Sequence, residues 1–266
     1  KVALSGDGAD ELFGSYFPHR TAWPLQILRD NGCVITGLSG DALAVLGDYK
    51  DEPDVLAKLL AAGGETEARM QQYLCDDFSK REIYSPMMRA ATENVSTADI
   101  VAQILSNSGS DDPLNRILYL DFHTLLSDQV LPFVDRLSMA HSVEVRPPFL
   151  DHQLIEFAAS LPGRFKIKNG RVKHILKEAL RPLLPKDLID RPKEGFVMPV
   201  NDWLKGRLWS ILQDALSPAN LNAHGLFDPD KVTDMINDHS TGHGNHANRL
   251  WNLFMFQLWW DRYQTR

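Results

Sequence analysis

The chain has 266 residues, 44% hydrophobic and 24% charged, with a formal net charge of -7. That is enough apolar side chain for one large core or two small ones, and too balanced a mixture for a disordered chain. The acidic surplus disfavours nucleic acid as a partner, since there is little net positive charge to neutralise phosphates. The longest strongly apolar stretch, Leu250 to Trp260, is about half the length of a membrane-spanning helix and is interrupted by Asn252 and Gln257, so no membrane partner is expected.

Taken in chain order, Lys1 to Ser5 has the length and composition of a buried strand, after which Gly6 and Gly8 release the chain into a helix from Ala9. The chain opens without a methionine and directly on that apolar run, which reads as a cut from a longer protein. Cys33 and Cys75 are too few for a disulfide framework and lack metal-ligand spacing, which predicts a reducing compartment, the cytoplasm. Beyond residue 50 the periodicity is helical, as in Val55, Leu59 and Leu60, or Leu114, Ile117, Leu118 and Leu125. Ser96-Thr97-Ala98-Asp99 reads as a capping box, and Asp228-Pro229 sets proline where a helix can begin. From Phe165 to Val172, alternation flanks Asn169-Gly170 and predicts a short ribbon around a tight turn. With no repeat, low-complexity tract or obvious linker, one compact and mostly α-helical unit is expected. A buried parallel strand needs neighbours on both sides, so companion strands are expected upstream of residue 1.

Three constellations bear on chemistry. Ser5-Gly6-Asp7-Gly8-Ala9-Asp10-Glu11 follows the strand and opens a helix: small residues there let a ligand approach the backbone, and the carboxylates suit a magnesium ion on a polyphosphate. The same residues read equally as a glycine turn with an acidic first helical turn. Lys173, near a helix start, and Lys193, in a loop bounded by Pro192 and Gly195, could each meet an anionic leaving group, although either alone is an ordinary surface lysine. The stretch Val134 to Asp151 embeds Asp135, Arg136, Glu144 and Arg146 in apolar sequence, which suggests buried ion pairs. Two further patterns are weaker. His239, His243 and His246 have helical metal spacing, but Gly242 and Gly244 break it, so a solvated loop is expected. Trp251, Phe254, Trp259 and Trp260 read as core packing before a partner surface.

Together, Val2 to Tyr16 (VALSGDGADELFGSY), Val134 to Asp151 (VDRLSMAHSVEVRPPFLD), Val172 to Leu180 (VKHILKEAL) and Arg191 to Pro199 (RPKEGFVMP) resemble the asparagine synthetase family in order and spacing, from residue 1 to about residue 205. The resemblance implies a chain that is mostly α, the C-terminal helical portion of an α/β ATP pyrophosphatase-type (adenine nucleotide α-hydrolase-like) domain, with one or few strands at its start. It implies enzymes that attach AMP from ATP to a carboxylate, release pyrophosphate, and let ammonia displace AMP to form an amide. By position, Ser5 and Gly6 would contact ATP through the backbone, Asp7 would take a proton from the attacking ammonia or orient the intermediate, and Asp10 would hold magnesium and pyrophosphate. Lys173 and Lys193 would contact the phosphates as pyrophosphate leaves. ATP and Mg2+ are thus the expected cofactors, aspartate or another carboxylate the partner substrate, ammonia from a glutaminase domain the nitrogen source, and a homodimer the expected assembly of the complete protein.

Some features depart from the family pattern. The upstream Ser-Gly-Gly-x-Asp-Ser phosphate loop is absent, and Gly37-Leu38-Ser39-Gly40-Asp41 is no substitute, since it lacks the second glycine and the Asp-Ser pair. The glutaminase domain is absent too, so the chain alone is expected to have little or no synthetase activity. Pro147 stands where valine is usual, and Ser15 where a second glycine is common. The rival expectations are a related amidotransferase acting on another acid, a helical interaction module without catalysis, and a simple nucleotide-binding module.

Overall fold

The computed structural model describes residues 1–31, 77–191 and 198–264. Val55, Leu59 and Leu60, both cysteines, the Gly37–Asp41 stretch and Lys193 lie outside the described residues. The chain divides into two compact units, Lys1–Arg69 with Asp99–Lys193, and Met70–Ala98 with Glu194–Arg266, where the sequence leads to the expectation of one. Composition is blind to this division because each unit is assembled from separate stretches of chain, with no polar linker between them.

In the first unit, strand β1 (Val2–Leu4) pairs in parallel with β2 (Glu144–Arg146), Val2 opposite Glu144 and Leu4 opposite Arg146. The strand forms where the sequence predicts it, but it is not buried: Val2 is 53% and Leu4 74% exposed. Among the described residues the sheet has only these two strands, and a two-stranded ribbon offers neither a second hydrogen-bonding neighbour nor a covered face. The pairing brings the first motif against the Val134–Asp151 stretch. The expected ion pair within that stretch forms between Arg146 Nε and Glu144 Oε1 at 2.8 Å, but both side chains are exposed, because residues two apart on a strand share one face. Asp135 and Arg136 are exposed and make no ion pair among the described residues.

Helix α1 (Ala9–Phe13) buries Ala9, Leu12 and Phe13, and α2 (Phe17–Asp30) packs its Ala22 against Leu114, Ile117 and Leu118 of α3 (Pro113–Asp121). Asp112 starts α3 by accepting from the Leu114 and Asn115 amides at 3.0 and 3.1 Å, with Pro113 in the first turn, where its missing N–H costs nothing. The helix then runs through a π-helical stretch, Phe122–Val130, into α4 (Leu131–Met139). The wider π turn advances the register, so that Leu126 rather than Leu125 is fully buried. Helices α5 (His152–Ser160), α6 (Gly163–Lys166) and α7 (His174–Leu180) complete the elements that frame the site. The predicted turn at Asn169 and Gly170 is present, both with positive φ (48° and 72°). Its ribbon is reduced to the single antiparallel bridge of Lys168 with Arg171, because Phe165 and Lys166 end α6 and the buried Lys166 ammonium donates to Asn115 Oδ1 at 2.8 Å.

The second unit is helical. Asp228 caps α8 (Pro229–Thr241) by accepting from the Asp230 and Lys231 amides, as its sequence predicts. The helix Thr97–Ser106 starts at the predicted capping box, and from Asp99 onward it belongs to the first unit. Leu204, Leu212, Leu221, Val232 and Leu250 are completely buried in the core of the second unit, together with Phe254 of α9 (Ala247–Tyr263). Trp251 and Trp260 are half-buried, whereas Trp259 is exposed, so core packing holds for part of the aromatic helix only. The histidine pattern is no solvated loop at His239, which is fully buried because α8 continues to Thr241 and ends only at Gly242. Its Nδ1 accepts from the His246 backbone at 3.3 Å, while His243 meets Thr241 instead. Among the described residues no helix is long and apolar enough to cross a membrane.

Candidate functional site

The loop from β1 into α1 is shaped by Gly8, whose φ of 87° lies in the left-handed region and whose missing side chain leaves room for Leu150; an added Cβ would stand 2.2 Å from the Leu150 Cδ2. Gly6 faces open space, with nothing within 4 Å of a built Cβ. Among the described residues the amides of Gly6, Asp7 and Gly8 donate to no backbone carbonyl, as an approach of a ligand to the backbone requires. The Ser5 hydroxyl donates to Asp7 Oδ2 at 2.7 Å and fixes that carboxylate at the mouth of the loop.

Asp10 is the junction of the site. The Lys173 Nζ lies 2.9 Å from its Oδ1, with both side chains 22% exposed, and the Ser15 hydroxyl donates to the same oxygen. Lys173 is held there by its backbone. It sits at the N-cap of α7 in the left-handed conformation (φ 53°, ψ 35°), and its N–H donates to the Gly14 carbonyl at 3.1 Å. A non-glycine residue in that region carries about 1–2 kcal/mol of strain, which the surrounding contacts must offset. Two predicted site residues far apart in sequence are thus brought together.

Glu11 turns the other way. It is only 2% exposed and accepts from the Tyr16 hydroxyl at 2.7 Å. Burial raises its pKa, partly countered by the Tyr16 hydrogen bond; burial and the adjacent Glu11 likewise push the Tyr16 phenol far up. Glu11 therefore does not join Asp7 and Asp10 around an ion, as the bare spacing allowed. Beneath it, His19 Nδ1 accepts from the backbone N–H of Ser15 and Tyr16 at 3.1 and 3.3 Å, so Nε2 carries the proton donated to Asp121 at 2.8 Å. This buried pair fixes the turn that presents Ser15 to Asp10 and Tyr16 to Glu11.

Among the described residues no group of three or more His, Cys, Asp or Glu could hold a metal. That donor set does not make a protein cage, but it fits a magnesium ion carried mainly by phosphate oxygens and water, to which a protein usually contributes one or two carboxylates; Asp10 is the fitting one. A cleft of about 630 Å³ opens beside Ser15 and is walled by Arg20, Arg171, Lys177 and Arg191 with Asp190; Arg171 lies 3.4 Å from both Glu178 and Asp190, so part of this cationic wall is already paired. A larger cleft, about 890 Å³, belongs to the second unit. Its Arg81 and Arg89 donate to backbone carbonyls of Thr92, Glu93 and Val95, and of Tyr84 and Glu82, so these two arginines brace the fold.

Sequence reasoning did not find Tyr16, His19, Asp121 or the arginine wall, and it noted Ser15 only as a departure from glycine. The available signal was slight: Asp121 is the one acidic residue of a largely apolar helix, and His19 stands at the third position of α2, where a side chain can reach back to the cap.

A family model described as asparagine synthase matches residues 1–261. The chain is similar to asparagine synthetase [glutamine-hydrolyzing] 1 of Bacillus subtilis, 28% identical over 97% of this chain and 40% of that protein. It is also similar to an asparagine synthetase of Cricetulus griseus, 43% identical over 30% of this chain and 15% of the other, and to the amidase chry2 of Gibberella zeae, 24% identical over 86% and 36%. The chain spans 40% or less of the length of these relatives. No solved structure matches it. With the motif residues assembled as described and the match extending over nearly the whole chain, the chain belongs to the asparagine synthase family.

Proposed function

We propose that the first unit provides the pyrophosphate-facing wall of the synthetase site of an ATP-dependent, glutamine-hydrolysing asparagine synthase, built on an ATP pyrophosphatase-type domain. The observation that carries this reading is the Lys173 ammonium on the Asp10 carboxylate, with Ser15 on the same oxygen. It joins the acidic loop to the start of α7, and both belong to sequence blocks that resemble the family.

In this reading a carboxylate oxygen of aspartate attacks the α-phosphorus of ATP, the bond to pyrophosphate breaks, and an acyl-adenylate forms. Ammonia then attacks the acyl carbon, AMP leaves, and a proton is lost from nitrogen. Asp7, oriented by the Ser5 hydroxyl, takes that proton or orients the intermediate. Lys173 follows the negative charge that develops on the departing pyrophosphate, and Arg20, Arg171 and Lys177 line its path. Magnesium, when bound, neutralises the phosphate oxygens. Asp10 holds Lys173 in place and is the carboxylate that would meet that ion. Lys193 would add a second cation to the same leaving group.

The test is exchange of labelled pyrophosphate into ATP by the protein as encoded, with aspartate present. Exchange that requires aspartate and disappears in Asp10→Asn supports the reading; exchange that survives the substitution contradicts it. A second reading, another acceptor acid, is favoured by the similarity to the Gibberella zeae amidase. The same assay with a panel of carboxylic acids separates the two.

A further inference from the structure

Behind the candidate site, α2 and the segment following α6 enclose a second cavity of about 360 Å³, a size that suits a small molecule. Its floor is apolar, formed by Trp23, Ile27 and Ile167, and its rim carries Arg20, Arg164 and Lys168. The acidic group that faces it, Asp112, is fully engaged: one oxygen accepts from the Leu114 and Asn115 amides and the other from the Gly163 amide at 2.8 Å. His19, which also lines the cavity, is committed to Asp121 and to the Ser15–Tyr16 backbone. The exposed Arg164 and Lys168 thus set two cations beside the apolar floor.

The half-buried Trp23 indole offers the cavity a broad aromatic face. A complementary ligand brings a flat apolar surface for that face and a negative charge for Arg164 and Lys168.

We propose that this cavity is a binding site for a small aromatic anion, a flat apolar body that covers Trp23 and Ile167 while a carboxylate meets the Arg164 and Lys168 cations. The site is separate from the acidic loop and does not depend on the ligase reading, since no reactant of that reaction enters the argument. Arg20 and Gly170 line this cavity as well as the cleft beside Ser15, and a ligand here would sit against His19, which fixes the Ser15–Tyr16 turn.

The test is a titration of the ¹⁵N-labelled protein with 2-naphthoate, followed at the six tryptophan indole resonances, with the Trp23 signal assigned from Trp23→Phe. The expected result is a saturable shift confined to the Trp23 resonance. The neutral isostere 2-naphthamide should bind at least tenfold more weakly, and acetate should not shift the signal. Arg164→Glu with Lys168→Glu, at two exposed positions, should weaken naphthoate tenfold or more and leave the naphthamide response unchanged. No Trp23 shift at millimolar naphthoate, equal binding of the amide, an unchanged affinity in the double variant, or parallel shifts of all the indoles would each overturn the proposal.

Discussion

Replacing Gly8 by alanine sets a methyl group where Leu150 already stands, and two separate penalties follow. The first is conformational: at φ 87° a side chain costs about 1–2 kcal/mol relative to glycine. The second is steric, because the new Cβ would meet the Leu150 Cδ2 at 2.2 Å and its Cγ at 3.0 Å. Overpacking of this kind costs about 1–3 kcal/mol, at the lower end where the far end of a side chain can rotate away. Gly8→Ala should thus destabilise the first unit by about 2–5 kcal/mol. Leu150→Ala removes the obstacle, so the double variant should retain only the conformational part of the Gly8 penalty, with a favourable coupling of about 1–3 kcal/mol between the sites. Urea unfolding followed at Trp23, the one tryptophan of the first unit, reads that unit separately from the five in the second. Strict additivity of the two substitutions would refute the close approach of the acidic loop to the Pro148–Leu150 turn.

Other perturbations separate strain, burial and charge. Lys173→Gly should be about 1 kcal/mol more stable than Lys173→Ala, because glycine relieves the left-handed backbone that alanine retains; both should lose pyrophosphate exchange, and equal stabilities in thermal melts would count against the strain. Burial lowers the Lys166 pKa from 10.5 to about 8, so the folded state binds fewer protons than the unfolded state across that window and stability rises with pH there. Relative to Lys166→Met, the wild type should gain about 1–3 kcal/mol between pH 8 and 10.5, and parallel curves would contradict the buried ammonium. Burial alone would raise the Asp77 pKa, but hydrogen bonds from Lys80 and Thr97 bring it from 3.8 to about 2. Its stabilisation is present above the unfolded value and is lost as pH falls through the folded one. Allowing for its partial exposure, Asp77→Asn should remove about 1–2 kcal/mol of acid-dependent stability, measurable as a flattened loss of helical signal between pH 5 and about 2.

Much of the framework was legible because local signals there agree with tertiary packing. The strand before the glycine loop, the Asp228 cap and the Asn169-Gly170 turn rest on short-range chemistry, and each stands where its residues place it. The misses have non-local causes. Val2 and Leu4 look like core residues but lie on a two-stranded ribbon, and Leu125 obeys helical spacing only until the π turn advances the register. Glu11 looked like a third ion ligand from its spacing, yet Tyr16 and burial draw it inward. The proposed roles of Asp10 and Lys173 come from motif resemblance, whereas the support beneath them has no counterpart in any sequence pattern. His19 meets Asp121 through the packing of α2 on α3, and no sequence pattern joins those two positions.

The central claim is that Asp10 and Lys173 act on the departing pyrophosphate as one unit, and a double-variant cycle in the exchange reaction tests it most directly. Asp10→Asn and Lys173→Met should each reduce aspartate-dependent exchange by about 100-fold or more, and the double variant should be little worse than either alone, as for residues that act together. Full exchange in either single variant, or losses that simply multiply in the double variant, would contradict it.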